Sequence, residues 1–152
     1  MLGIASTRSV IGGAISRLFG EHGALVEVVD SDPDRSTLVV EDIEAAGGVA
    51  RAHMVDVRSD AEVEDLRSEV LGEHGRIDVL VNNAGINGPQ VPVEDYPLEN
   101  WERVIGVDLT AVFLCTRAIV PHMKQAGYGR IVSIASQAGK EGIANVSAYN
   151  AA

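Results

Sequence analysis

Ser136 closes the apolar run Arg130-Ile131-Val132-Ser133-Ile134-Ala135-Ser136, and Tyr149 follows thirteen positions later at the opening of a small-residue helix. A serine hydroxyl at a strand tip can donate to a substrate oxygen, and a phenol beside it can exchange a proton with that oxygen. The phenol does this well only when its pKa is lowered. Free tyrosine titrates near ~10, so about one in a thousand is ionised at pH 7. A neighbouring cation shifts the balance toward phenolate. Metal chemistry is not indicated: His22, His53, His74 and His122 are scattered without ligand spacing, and no metal site is expected.

The elements that must position such a pair read as alternating short β-rich runs and longer amphipathic ones, the pattern of βαβ units and a parallel sheet. Strands are predicted at 24–30, 49–57, 77–82 and 130–136. The first helix should carry Ile11, Ala14, Ile15, Leu18 and Phe19 on its apolar face and end at Gly20 or Gly23. A second runs over about 34–46, and a third follows Ser59 as N-cap with Val63, Leu66 and Val70 on one face. The fourth is long, with Trp101, Val104, Ile105, Leu109, Val112, Phe113, Ile119 and Val120 as its apolar face, and Pro121 placed to bend it. Trp101 reads as a core anchor.

Each predicted strand ends in a polar or glycine-containing turn: Asp30-Ser31-Asp32, Asp56, Asn82-Asn83-Ala84-Gly85, and Ser136. Ligands of open parallel sheets bind beyond the carboxyl ends of the strands, so these turns should converge on one crevice. Asp30 could accept both hydroxyls of an adenosine ribose and would repel a 2′-phosphate, favouring NAD over NADP; Arg8 and Arg35 could pair with that phosphate and keep NADP open. A solvated strand-end aspartate is the plain alternative. The stretch 3–13, Gly-Ile-Ala-Ser-Thr-Arg-Ser-Val-Ile-Gly-Gly, could bring backbone N–H groups to a pyrophosphate at a helix N-terminus.

Together these motifs resemble the short-chain dehydrogenase/reductase family over essentially all 152 residues. The resemblance implies an α/β, Rossmann-type doubly wound parallel sheet in one NAD(P)-binding domain, 1–152. It implies hydride transfer between NAD(P) and a secondary alcohol or ketone. Ser136 and Tyr149 would be catalytic, and Asp108 would stand where the family usually has an Asn, although a helix-interior aspartate without a role is equally open. The cofactor would be held by Gly3, Ser9, Val10, Ile11, Asp30, Asp56 (at the adenine amine), Val57, Asn83, Ala84, Gly85, Ile134 and Tyr149. The first loop departs from the family's glycine pattern at Ser9 and Val10 and is closer to the enoyl reductase variant, whereas the Ser136/Tyr149 spacing favours the alcohol/ketone branch.

By the same resemblance, 139–142 and 91–98 look like members acting on sugars or sugar acids, with 3-oxoacyl thioester reduction as the alternative and 87–90 and 137–147 flanking the substrate. A homotetramer or homodimer is implied, packing the long helix and the one near Val146 against symmetry mates. The family's Lys would fall at position 153, and only Met1 and Leu2 precede Gly3. An incomplete sheet is therefore expected, with the first strand largely missing, the last strands missing, and a gap between its halves. A fragment of a longer protein with little activity alone follows from that reading. A non-catalytic dinucleotide-binding module and a nonfunctional fragment are the rival readings.

Composition bounds the rest. A chain of 152 residues with 46% apolar and 22% charged residues is an ordinary globular domain. A formal charge of −10 argues against nucleic acid and anionic membrane partners. The lone Cys115 excludes disulfide stapling and fits a reducing, cytoplasmic setting. No stretch reads as a membrane span or signal peptide.

Overall fold

The computed structural model describes residues 11–152 and the backbone of 2–4. Five parallel strands form one sheet in the order β3-β2-β1-β4-β5. They are β1 (Leu2–Ile4), β2 (Leu25–Asp30), β3 (Val49–Met54), β4 (Val79–Asn82) and β5 (Arg130–Ser133). Between them run α1 (Ile11–Glu21), α2 (Pro33–Ala45), α3 (Asp60–His74), α4 (Leu98–Ile105), α5 (Ala111–Ala126), α6 (Ala138–Glu141) and α7 (Ser147–Ala151).

The expected gap at the centre of the sheet is closed. Leu2, Gly3 and Ile4 pair with Glu27, Val28 and Val29 on one side and with Leu80, Val81 and Asn82 on the other. Three residues suffice because both neighbours supply ladder partners along the whole strand. Gly3 therefore lies within the central strand rather than in a loop. Ser9 and Val10, together with Arg8, lie outside the described residues.

Helices cover both faces. Alternate residues of β2 divide the core: Val26 and Val28 meet Val39 and Ile43 of α2, while Val29 joins Leu80 of β4 against α3 and α5. Local signals set the helix ends. Asp32 caps α2 by accepting from the Asp34 N–H, Pro33 opens it, and Ser59 caps α3 by accepting from the Glu62 N–H. Gly75 and Gly127 end α3 and α5 in the left-handed conformation.

The buried face of α1 differs from the expected one. Gly12, Gly13, Ser16 and Gly20 are buried, whereas Ile11 and Leu18 are exposed. Small residues let the helix approach α2 closely. A Cβ on Gly20 would lie 2.6 Å from Ile43 Cγ2, so Ile43 occupies the space a side chain would need. Apolar periodicity marks the large residues, and here close packing uses the small ones.

The long helix also differs. It runs continuously from Leu98 to Ala126, 29 residues with an 18-residue window of mean hydropathy 1.7, long and apolar enough by length and composition to cross a membrane. That corrects the expectation that no such stretch exists. Its Leu114, Cys115, Ala118, Ile119 and Met123 nevertheless face the core. The irregularity in its hydrogen bonding falls at Gly106–Thr110, a π-helical turn, and the helix continues through Pro121. Trp101 is exposed rather than a core anchor, as are Leu109 and Phe113. β5 is an edge strand whose four residues are all exposed, Ile131 and Val132 among them.

Candidate active site and cofactor cleft

Parallel pairing puts the carboxyl ends of all five strands on one edge of the sheet. A cavity of about 200 Å³ opens there. Asp30 and Ser31 line it from the end of β2, Asp56 and Val57 from the turn after β3, and Ala84 and Gly85 from the turn after β4. Three of the four predicted turns thus meet.

Asp30 is buried at the tip of β2, and its Oδ1 accepts from the Asp32 N–H at 3.0 Å. Arg35 also lines the cavity, with its Nε 3.1 Å from Asp32 Oδ2. Asp56 is engaged by Arg58, whose Nη2 lies 2.6 Å from Oδ2, and this partner holds the carboxyl below its ordinary range. Sequence reasoning missed Arg58, Ile86 and Arg103, all in the cavity wall. Only the proximity of Arg58 to Asp56 in the chain hinted at any of them.

Asp108 sits in the π-helical turn and does not line the cavity. It acts on the cavity floor: its Oδ1 accepts from the Ile86 N–H at 2.9 Å. A Cβ on Gly85 would lie 3.7 Å from that oxygen, so turn and carboxylate are in close register. Burial pushes the Asp108 carboxyl up, against the opposing effect of the Ile86 N–H.

Ser136, Tyr149, Asn83 and Ile134 lie outside the cavity wall. Ile134 continues the β4–β5 ladder by donating its N–H to Asn82 O at 2.9 Å. Ser136 is exposed just ahead of α6, and its Oγ accepts from the Ala138 N–H at 3.2 Å. Tyr149 is half-buried in α7, which packs against α4 and α6. The Asn150 side chain donates to Ile143 O at 2.8 Å and accepts from Ile143 N at 3.0 Å, tying the loop before α7 to the helix that carries Tyr149. Val91 N–H donates to Asn145 O at 2.8 Å, binding the segment after β4 to that same loop. Asn145 adopts φ 65°, a conformation asparagine tolerates better than most residues. Among the described residues no cation pairs with the Tyr149 hydroxyl.

The residues present fit an adenosine. A carboxylate stands at the tip of β2, small residues floor the turn after β4, and the lining carries both charged and apolar groups. Fold and site together define a dinucleotide-binding α/β domain of the Rossmann type. The family model for short chain dehydrogenase matches residues 4–152. A 2-dehydro-3-deoxy-L-rhamnonate dehydrogenase (NAD(+)) of Sphingomonas sp. (strain SKA58) is 40% identical over 136 residues, 90% of this chain and 53% of that protein. A D-beta-hydroxybutyrate dehydrogenase of Rhizobium meliloti (strain 1021) is 35% identical over 151 residues, covering 98% and 58%. The crystal structure of a metagenomic short-chain oxidoreductase in complex with NADP superposes with a TM-score of 0.93 at 37% identity, covering 99% of this chain and 67% of that one. The chain belongs to the short-chain dehydrogenase family. It spans about half the length of the curated relatives it matches.

Proposed function

We propose that this chain is the cofactor-binding part of an NAD(P)-dependent oxidoreductase acting on a secondary alcohol or the matching ketone. The observation that carries the reading is the meeting of the β2, β3 and β4 ends around one cavity on the edge of the sheet where Ser136 also stands. When bound, the nicotinamide supplies or accepts the hydride. Asp30 orients the adenosine ribose, and its charge favours NAD, while Arg35 in the same wall leaves room for a 2′-phosphate. Ser136 donates to the substrate oxygen, and Tyr149 exchanges the proton with it. Asp108 holds the turn at Ile86 rather than touching the reacting atoms.

A hydroxyl carried by a sugar, sugar acid or hydroxy acid is the substrate class we favour. The sugar-acid and hydroxybutyrate dehydrogenases among the relatives support it, as does an NAD+-bound xylitol dehydrogenase structure with a TM-score of 0.89 at 33% identity. The exposed Leu109 and Phe113 on the long helix fit a homo-oligomer packed through that face, and the lone thiol fits a cytoplasmic protein. The 152 residues alone should turn over poorly, because they span about half the length of the dehydrogenases they match.

The test is a titration of the chain with NADH, followed by an activity screen on sugar acids and 3-hydroxy acids with Ser136→Ala and Tyr149→Phe as comparisons. Saturable NADH binding retained by both variants supports the reading. Absence of binding by the unaltered chain contradicts it.

A further inference from the structure

Arg35, Arg58 and Arg103 line the cavity, and the first two are already engaged by acids. Arg58 Nη2 lies 2.6 Å from Asp56 Oδ2, and Arg35 Nε lies 3.1 Å from Asp32 Oδ2. The Arg103 guanidinium, in the wall from α4, makes no hydrogen bond, ion pair or ring contact among the described residues. A partner was on offer along the helix. Glu99 stands four positions back on α4, the order that favours an i,i+4 pair, yet no ion pair joins the two. Arg103 is therefore a cation of the cavity wall whose charge no neighbouring acid neutralises.

The rest of the molecule works against an anionic ligand, because the chain carries a formal charge of −10. A dinucleotide brings a doubly charged pyrophosphate, and NADPH adds a phosphate monoester. A cleft with low-dielectric walls concentrates the field of an unneutralised charge, so one free cation there counts for more than the same cation on an open face. We propose that Arg103 supplies the positive charge with which the cavity attracts the phosphates of a dinucleotide against the charge of the surrounding chain. The proposal deepens the dinucleotide reading above and rests on it. It makes Arg103 a selector of ligands by charge: phosphorylated adenosine is favoured over adenosine, and NADPH gains more from Arg103 than NADH does. Asp30, at the tip of β2, acts in the opposite sense on a 2′-phosphate, so the two residues set the NADPH preference between them.

Calorimetric titration with adenosine, ADP-ribose, NADH and NADPH, at low and at high salt, tests the assignment. At low salt Arg103→Gln should weaken ADP-ribose and NADH by about 5-fold, the effect of one charge on two across ~10 Å of wet cleft. NADPH should lose more than NADH, and adenosine should lose nothing. At about 0.5 M salt, where the Debye length is only ~4 Å, native and Arg103→Gln chains should bind alike. Arg103→Lys keeps the charge and should bind as the native chain does. Arg130→Gln removes the same charge at the start of β5, on the opposite edge of the sheet, and should leave all four ligands unchanged. A loss in Arg103→Gln that adenosine shares, that persists at high salt, or that Arg103→Lys reproduces overturns the proposal. If the native chain binds NADH and Arg103→Gln binds it equally at low salt, only the Arg103 assignment falls. If the native chain binds none of the ligands, the dinucleotide reading falls and carries this one with it.

Discussion

Replacing Glu27 by Gln probes a cluster on which three elements depend. Glu27 is 1% exposed in β2, and both its oxygens are used. His53 Nε2 of β3 lies 2.6 Å from Oε2, and His74 Nε2 at the end of α3 lies 2.7 Å from Oε1. Burial pushes the carboxyl up, but the two imidazole hydrogen bonds and the charges behind them outweigh it and leave the group below its ordinary range. Both imidazoles therefore donate to a carboxylate at neutral pH. Hydrogen bonds to a charged partner are worth about 1.5–3 kcal/mol against about 0.5–1.5 for neutral ones, and Gln offers one neutral oxygen where the carboxylate offered two charged ones, so the change should cost about 2 kcal/mol or more. For a chain of this size that is a fall of about 4–8 °C in Tm. Because the folded pKa is depressed, the carboxylate's contribution is fully present above the unfolded value near ~4.3 and is lost as pH falls through the folded one. Urea denaturation of the native and Glu27→Gln chains at pH 7 and at steps below pH 5 measures both effects. The difference should be largest at neutral pH and shrink in acid. A loss under ~0.5 kcal/mol at pH 7, or a difference that grows on acidification, would refute the reasoning.

Four further outcomes are expected. Asp108→Asn keeps the acceptor for the Ile86 N–H and removes a charge that burial disfavours; because the folded pKa is raised, ionisation costs stability as pH rises, so the variant should melt higher at pH 7 and equal the native chain near pH 3 in a thermal scan. Asn150→Ala should lose about 1 kcal/mol and speed hydrogen exchange at the Ile143 amide, which its Oδ1 now holds. Gly88→Ala should cost about 2–3 kcal/mol in denaturant titration, since φ is 68° and the new Cβ would fall 2.5 Å from Tyr96 Oη and 2.8 Å from Val104 Cγ2. Cys115, buried and pushed up to about 11, should resist thiol reagents at pH 8 until the chain is unfolded.

The strands and most helices were legible because their apolar runs and caps are local properties: Ser59, Gly47-Gly48 and the 77–82 run mark their own boundaries. Less local features escaped. β1 is three residues long and has no pattern of its own; its two neighbours define it. The packing face of α1 reads wrongly from periodicity because Ile43 fills the space above Gly20. His53 and His74 lie 21 positions apart without ligand spacing, and only the β2–β3 pairing and the end of α3 bring them to Glu27. Asp56 was legible as a site residue, but its ion pair with Arg58 is a matter of side-chain geometry.

Hydrogen exchange of the chain with and without saturating NADH addresses the central claim most directly. Slowed exchange should concentrate at residues 30–32, 56–58 and 84–86, the three turns that wall the cavity. Protection elsewhere on the surface, with those three turns unchanged, would contradict the placement of the cofactor and the function built on it.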